Sequence, residues 1–145
     1  MKFDNILVVC VGNICRSPTA EAMLKARYPD KTVHSAGVGA LVGKPVDSKA
    51  AALLEKASLP YQDHKARQLT AELAQQADLI LVMEPGHIGA VTEIAPFARG
   101  KTFLLGKWVQ DTAIPDPYRQ SEEAFVHVFE LMQQACRGWE KVLGK

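Results

Sequence analysis

Three cysteines in 145 residues are too few, and odd in number, for the disulfide framework of a secreted domain. They point instead to a reducing, cytoplasmic setting. No apolar run approaches the roughly 20 residues that cross a bilayer, and the one near the N-terminus is too short for a secretory signal. Net charge is only +1, so the chain as a whole has no bulk attraction for nucleic acid or an anionic membrane. Neither Gly-x4-Gly-Lys-Ser/Thr nor Gly-x-Gly-x-x-Gly occurs, which removes two familiar nucleotide-binding loops. His34, His87 and His127 show no ligand spacing with one another or with the cysteines, so neither a metal nor a cofactor is expected. Repeats, low-complexity tracts and linkers are missing as well. With 48% apolar residues, the chain reads as a single domain, 1–145, with one real core.

What is present is concentrated in Cys10-Val11-Gly12-Asn13-Ile14-Cys15-Arg16-Ser17-Pro18. This stretch follows the apolar run Ile6-Leu7-Val8-Val9, which reads as a buried strand. Ser17-Pro18 reads as a helix start, with Ser17 as N-cap and Pro18 at the first helical position. A strand, a tight loop and a helix N-terminus make an anion nest, in which successive N–H groups of Val11, Gly12, Asn13, Ile14, Cys15, Arg16 and Ser17 point inward. Arg16 adds a planar fork for two oxygens. Cys10 then lies at the bottom of the cradle, where positive surroundings favour its thiolate. The expected chemistry is phosphoryl transfer to a nucleophilic cysteine.

Strands are expected over 6–11, 32–36, 79–83 and 102–105. Helices are expected over 17–28, from the Asp47 cap to just before Pro60, over 71–77 after Thr70, from Pro85 to about Ile94, and after Ser121 to about Leu143. This alternation implies an α/β three-layer sandwich: a four-stranded parallel sheet flanked by helices on both faces, with the phosphate loop between strand one and helix one. Ligands of such sheets bind beyond the carboxyl ends of the strands, where the Cys10 loop emerges.

A thiolate attacking a phosphomonoester needs a proton for the leaving oxygen, and the cysteinyl phosphate needs a water deprotonated to release it. Asp116, in Ile114-Pro115-Asp116-Pro117-Tyr118, can do both in turn. Its loop follows strand four to the same edge, and the flanking prolines stiffen it. Asp111 is a weaker rival without the proline brackets. Tyr118 can offer a face to an aromatic leaving group.

These residues resemble a low-molecular-weight protein tyrosine phosphatase. The similarity spans nearly the whole chain and includes Ser35-Ala36-Gly37, His64-Lys65-Ala66-Arg67-Gln68 and Asp78-Leu79-Ile80-Leu81-Val82-Met83. Residues 37–44 and 115–119 are similar to the bacterial capsule and exopolysaccharide branch. The resemblance implies Cys10 as nucleophile, Arg16 as transition-state clamp and Asp116 as general acid then base. It implies that Ser17 bonds the Cys10 sulfur, and that Asn13 pins the loop with support from Ser35 and His64. Leu41 and Tyr118 would wall the ring pocket. As partner it implies a phosphotyrosine protein, the tail of a membrane tyrosine autokinase, acted on by a monomeric enzyme that inserts in no membrane and binds no nucleic acid. Leu41 stands where eukaryotic members often have an aromatic residue, and Arg119 where they have a second tyrosine.

Other readings stand beside this one. Cys15 is either a packing residue or a reversible disulfide partner of Cys10, and the resemblance favours the second. Cys136 falls on the apolar stripe of the last helix and reads as structural. Trp108 either packs the core edge or rims the pocket. Lys65, Arg67, Arg99 and Lys101 read as solvated charges. A thioredoxin-linked arsenate reductase would use the same loop, but its cysteine relay lacks parts here. A non-catalytic phosphotyrosine-binding module would gain nothing from a carboxylate beside phosphate.

Overall fold

Where the chain is apolar without interruption it forms the middle of a parallel sheet. In the computed structural model, which describes residues 3–144, the strands are β1 (Asn5–Cys10), β2 (Thr32–Gly37), β3 (Leu79–Val82) and β4 (Thr102–Leu104). Met1, Lys2 and Lys145, at the ends of the expected 1–145 domain, lie outside the described residues. All pairings are parallel and the order is β2-β1-β3-β4.

Successive strand residues face opposite sides, and here both sides are covered. Ile6, Val8, Leu79 and Leu81 pack into a core shared with α1 (Arg16–Arg27), α2 (Ser48–Lys56) and α5 (Glu122–Gly138). Leu7, Val9, Ile80 and Val82 pack on the other side, with residues of α3 (Ala71–Gln76), α4 (Pro85–Ile94) and a 3-10 segment, Pro96–Lys101. A strand covered on both faces has no polar face to show, so β1 and β3 do not alternate.

Three helix starts follow the sequence signals. Asp47 accepts from the Lys49 N–H, Thr70 from Leu73 and Ser121 from Ala124. The first helix differs. It begins at Arg16, and Cys15 occupies the cap position without a side-chain bond. Ser17 is therefore not the N-cap; its hydroxyl is engaged with Cys10 and Asn13. Pro18 falls at the third helical position, where a missing N–H still costs nothing.

Strand one ends at Cys10, leaving Val11 in the loop. The last helix stops at Gly138, and a short α6 (Glu140–Leu143) follows. At the break a Cβ on Gly138 would lie 3.0 Å from the Trp108 Cβ, and the Trp139 indole donates to the Leu105 carbonyl at 2.8 Å. Trp108 packs edge-on against Trp139, with centroids 5.8 Å apart, which settles it as a core-edge residue. Among the described residues no helix is long and apolar enough to cross a membrane.

The order β2-β1-β3-β4 sends the chain outward in opposite directions from β1. The crevice at the carboxyl ends of β1 and β3 is thus a topological switch point. Cys10 is the last residue of β1, and Glu84 stands two residues past β3.

Candidate active site

The loop after β1 is held from outside by its own carbonyls. The carbonyls of Cys10, Val11 and Gly12 accept from the N–H groups of Val38, Gly39 and Leu41, each at 3.0 Å. That of Ile14 accepts from Asp47 at 2.8 Å, and that of Asn13 meets His64 Nε2 at 2.7 Å. A carbonyl only accepts, so His64 carries its proton on Nε2 here. Carbonyls turned outward suit a loop whose N–H groups serve its hollow, and the α1 N-terminus adds its positive end.

Asn13 holds the turn. It is fully buried, with φ of 62°, a left-handed conformation that asparagine tolerates better than most side chains. Its Nδ2 donates to Ser17 Oγ at 2.8 Å and Ser35 Oγ at 3.0 Å, and its Oδ1 accepts from the Arg67 N–H at 2.9 Å. Because the Ser17 oxygen accepts from Asn13, its own proton is free for Cys10 Sγ, 2.9 Å away. The Ser35 hydroxyl likewise donates onward to Glu21 at 2.5 Å, and Glu21 pairs with Lys25 at 2.8 Å. Arg67, expected as a solvated charge, instead donates through Nε to the Ser35 carbonyl at 3.1 Å. Lys101 is engaged too, on the Ala77 carbonyl at 2.5 Å.

Residues 10–16 line a cavity of about 170 Å³ together with Gly39, Leu41, Asp116 and Tyr118. The structure therefore brings Cys10, Arg16, Asp116, Leu41 and Tyr118 to one hollow, with Ser17, Ser35 and His64 behind it. Asp111 is not among the lining residues. Asp116 reaches the site because Ile114 is tied to the end of β3: its N–H donates to the Met83 carbonyl at 2.8 Å, and its carbonyl accepts from Arg16 at 2.7 Å. Asp116 Oδ1 accepts from the Tyr118 N–H at 3.0 Å, and Oδ2 lies 3.8 Å from Arg16 Nη2. Leu41 covers Gly12, where an added Cβ would sit 3.8 Å from the leucine side chain.

A model of low-molecular-weight phosphotyrosine protein phosphatases matches residues 5–145. The chain belongs to this phosphatase family. Its members are cysteine-dependent hydrolases that use no metal. The chain is 49% identical over 145 residues to the low-molecular-weight protein-tyrosine-phosphatase Etp of Escherichia coli strain K12, covering 100% of this chain and 98% of Etp. It is 51% identical over 141 residues to Wzb of Salmonella typhimurium, covering 97% and 95%. Among solved structures, Vibrio vulnificus Wzb in complex with benzylphosphonate superposes with a TM-score of 0.94 at 52% identity, covering 96% of this chain and 98% of that one.

In this phosphatase two neighbours of the site escaped sequence reasoning. Glu84 pairs with Arg16 at 2.6 Å, and Glu21 receives the Ser35 hydroxyl. For Glu84 a signal existed: it follows a buried strand at the sheet edge where Cys10 emerges. Cys15 is buried in the core under the loop, and burial pushes its thiol well above the usual cysteine range. Cys136 is also fully buried and pushed up, its sulfur 4.0 Å from that of Met23.

Proposed function

We propose that this phosphatase hydrolyses phosphotyrosine in proteins through a cysteinyl-phosphate intermediate. The observation that carries this reading is the meeting of a thiol, a loop whose carbonyls are bonded outward, a guanidinium and a carboxyl group around one cavity. The N–H groups of residues 11–17 bind the phosphoryl oxygens, and Arg16 gathers two of them as charge shifts in the transition state. The Cys10 sulfur attacks phosphorus, forming the S–P bond as the P–O bond to the ring breaks. Asp116, acting as the general acid, gives its proton to the departing phenolate. Its carboxylate then takes a proton from water, whose oxygen attacks phosphorus and returns the thiolate and inorganic phosphate. The Ser17 hydroxyl stabilises that leaving thiolate.

Leu41 and Tyr118 form an apolar wall and an aromatic wall that suit a phenyl ring better than a serine methylene. The substrate we assign is the phosphotyrosine tail of a membrane tyrosine autokinase of capsule or exopolysaccharide export, met by a monomeric, single-domain enzyme in the cytoplasm. Cys15 serves as partner for Cys10 under peroxide. Peroxide converts the Cys10 thiolate to a sulfenic acid, and the Cys15 sulfur displaces water to give a disulfide that thiol reduces. Wild type should then recover activity with thiol and Cys15→Ser should not; equal recovery removes this role. The buried Cys136 leaves an arsenate-reductase relay without an exposed second thiol.

The deciding measurement is turnover of para-nitrophenyl phosphate by wild type and Cys10→Ser with chelator present, followed by phosphotyrosine and phosphoserine peptides. Equal rates for wild type and Cys10→Ser would sink the mechanism, and equal rates on the two peptides would remove the tyrosine assignment. Asp116→Asn should lose the basic limb of the pH–rate profile; a full bell shape in that variant excludes Asp116 as the acid.

A further inference from the structure

The Arg16 guanidinium is not free to turn. A guanidinium has five N–H donors in one plane. In this phosphatase both hydrogens of Nη1 are spoken for, one by Glu84 Oε2 at 2.6 Å and one by the Ile114 carbonyl at 2.7 Å. A guanidinium offers parallel N–H bonds to two oxygens either across its Nη1/Nη2 end or along its Nε/Nη2 edge. With Nη1 occupied, only the Nε/Nη2 edge remains. Nη2 lies 3.8 Å from Asp116 Oδ2, an ion-pair separation and not a hydrogen bond.

Glu84 reaches Arg16 at the expense of a local bond. It stands at the N-cap of α4, ahead of Pro85, yet its side chain makes no capping bond. The carboxylate is turned away from its own helix and onto a cation 68 residues distant in sequence. A second observation falls on the same turn. His87 is buried, and its Nδ1 is the one buried side-chain nitrogen or oxygen among the described residues without a hydrogen-bond partner. The charged groups facing it are Arg16, Glu84 and Asp116. Burial first, then Arg16, favours the neutral imidazole, so His87 does not draw Glu84 away as a second cation.

We propose that Glu84 is a positioning residue for the reaction: by holding Nη1 it presents the Nε/Nη2 edge of Arg16 to the phosphoryl oxygens. The assignment rests on the phosphatase reading of this site. Glu84 touches no reacting atom; it acts through Arg16. Because misplacing a reacting group by about 1 Å costs about a hundredfold, Glu84→Ala should lower kcat by about 30- to 100-fold while KM moves less than about threefold. Glu84→Gln keeps an acceptor oxygen in the same place and should stay within about fivefold of wild type, since Coulomb attraction is the smaller part of a half-exposed pair.

The experiment measures para-nitrophenyl phosphate turnover by wild type, Glu84→Ala, Glu84→Gln and Glu84→Leu, with inhibition by vanadate and by phosphate and the melting temperature of each. Leucine matches glutamate in bulk without an acceptor, and guards against a cavity or folding effect in the alanine variant. Vanadate takes the five-coordinate shape of the transition state, whereas phosphate has the tetrahedral shape of the ground state. The expected result is a loss of vanadate inhibition at least tenfold greater than that of phosphate inhibition in the Ala and Leu variants, with both restored in Gln. The proposal is overturned if Ala and Leu stay within threefold of wild-type kcat, if Gln falls as far as they do, or if the two inhibitors weaken equally. Absent turnover by wild type, or turnover unchanged in Cys10→Ser, removes the phosphatase reading itself. Normal wild-type behaviour with an indifferent Glu84 removes this assignment alone.

Discussion

Asn13→Ala should be a severely damaging change even though it keeps every side chain assigned to the reaction and the backbone N–H of position 13 itself. The wild-type amide makes three hydrogen bonds, at 2.8, 3.0 and 2.9 Å, from a position with no solvent exposure. Each bond is worth about 1 kcal/mol net, and a partner left buried without a substitute costs about 1–3 kcal/mol. Ser17 and Ser35 keep other bonds, so the Arg67 N–H is the fully stranded group. Alanine also resists the φ of 62° that asparagine accepts, by about 1 kcal/mol. Taking about 1 kcal/mol for each of the two bonds to Ser17 and Ser35, about 1 for the stranded Arg67 N–H in place of its bond, and about 1 for the backbone gives about 4 kcal/mol, a large share of the roughly 5–15 kcal/mol available to a domain. At about 3 °C per kcal/mol this lowers the melting temperature by about 12 °C. Asn13→Gly loses the same bonds without the backbone strain, so it should be less damaging than alanine by about 1 kcal/mol. Urea denaturation of the three proteins at pH 7.5 is the assay. A cost below 1 kcal/mol for alanine, or glycine worse than alanine, would refute the account of Asn13 as the brace of the turn.

Gly37→Ala would place a Cβ 2.3 Å from the Val11 carbonyl oxygen; expect a loss of about 3 kcal/mol and a drop in kcat/KM as the loop is displaced, read by denaturation and para-nitrophenyl phosphate kinetics. His87 has its folded pKa lowered, by burial and then by Arg16. Its contribution is therefore complete above the ordinary value of about 6.5 and is lost as pH falls below it, because the unfolded chain takes up the proton first. Melting curves at pH 7.5 and 5.0 should show a smaller acid-side decline for His87→Gln than for wild type. Iodoacetamide at pH 7.5 should modify Cys10 before Cys15 or Cys136, whose thiols burial keeps protonated; mass spectrometry of peptides checks this, and comparable labelling of Cys15 refutes it.

Features that depend on neighbours in sequence were readable. Asp47, Thr70 and Ser121 cap helices because the N–H they satisfy lies two or three residues on. The unbroken apolar character of Ile6–Val9 and Leu79–Val82 announced strands covered on both faces. Ser17 misled for a physical reason: a hydroxyl suited to capping has one proton and few lone pairs, and the loop claims them first. The order of the strands was not readable, since nothing local states which side of β1 receives β3. Arg67 looked solvated because its partners, Asn13 and Ser35, lie 54 and 32 residues away. Glu84 was overlooked on the same ground, as its meaning lies in Arg16, across the sheet edge.

The outward carbonyls of the loop have a consequence for the order in which the molecule is made. Their partners lie at Val38, Gly39, Leu41, Asp47 and His64, and the Asn13 side chain waits for Arg67. The full set can close only when β2, the α2 cap and the irregular stretch at 60–68 have all docked, so the hollow is complete only in the assembled chain. An anion that fits it binds the finished chain and not its precursors. Sulfate or phosphate in the buffer should accordingly slow unfolding while leaving the refolding rate nearly unchanged, as expected for contacts absent from the folding transition state.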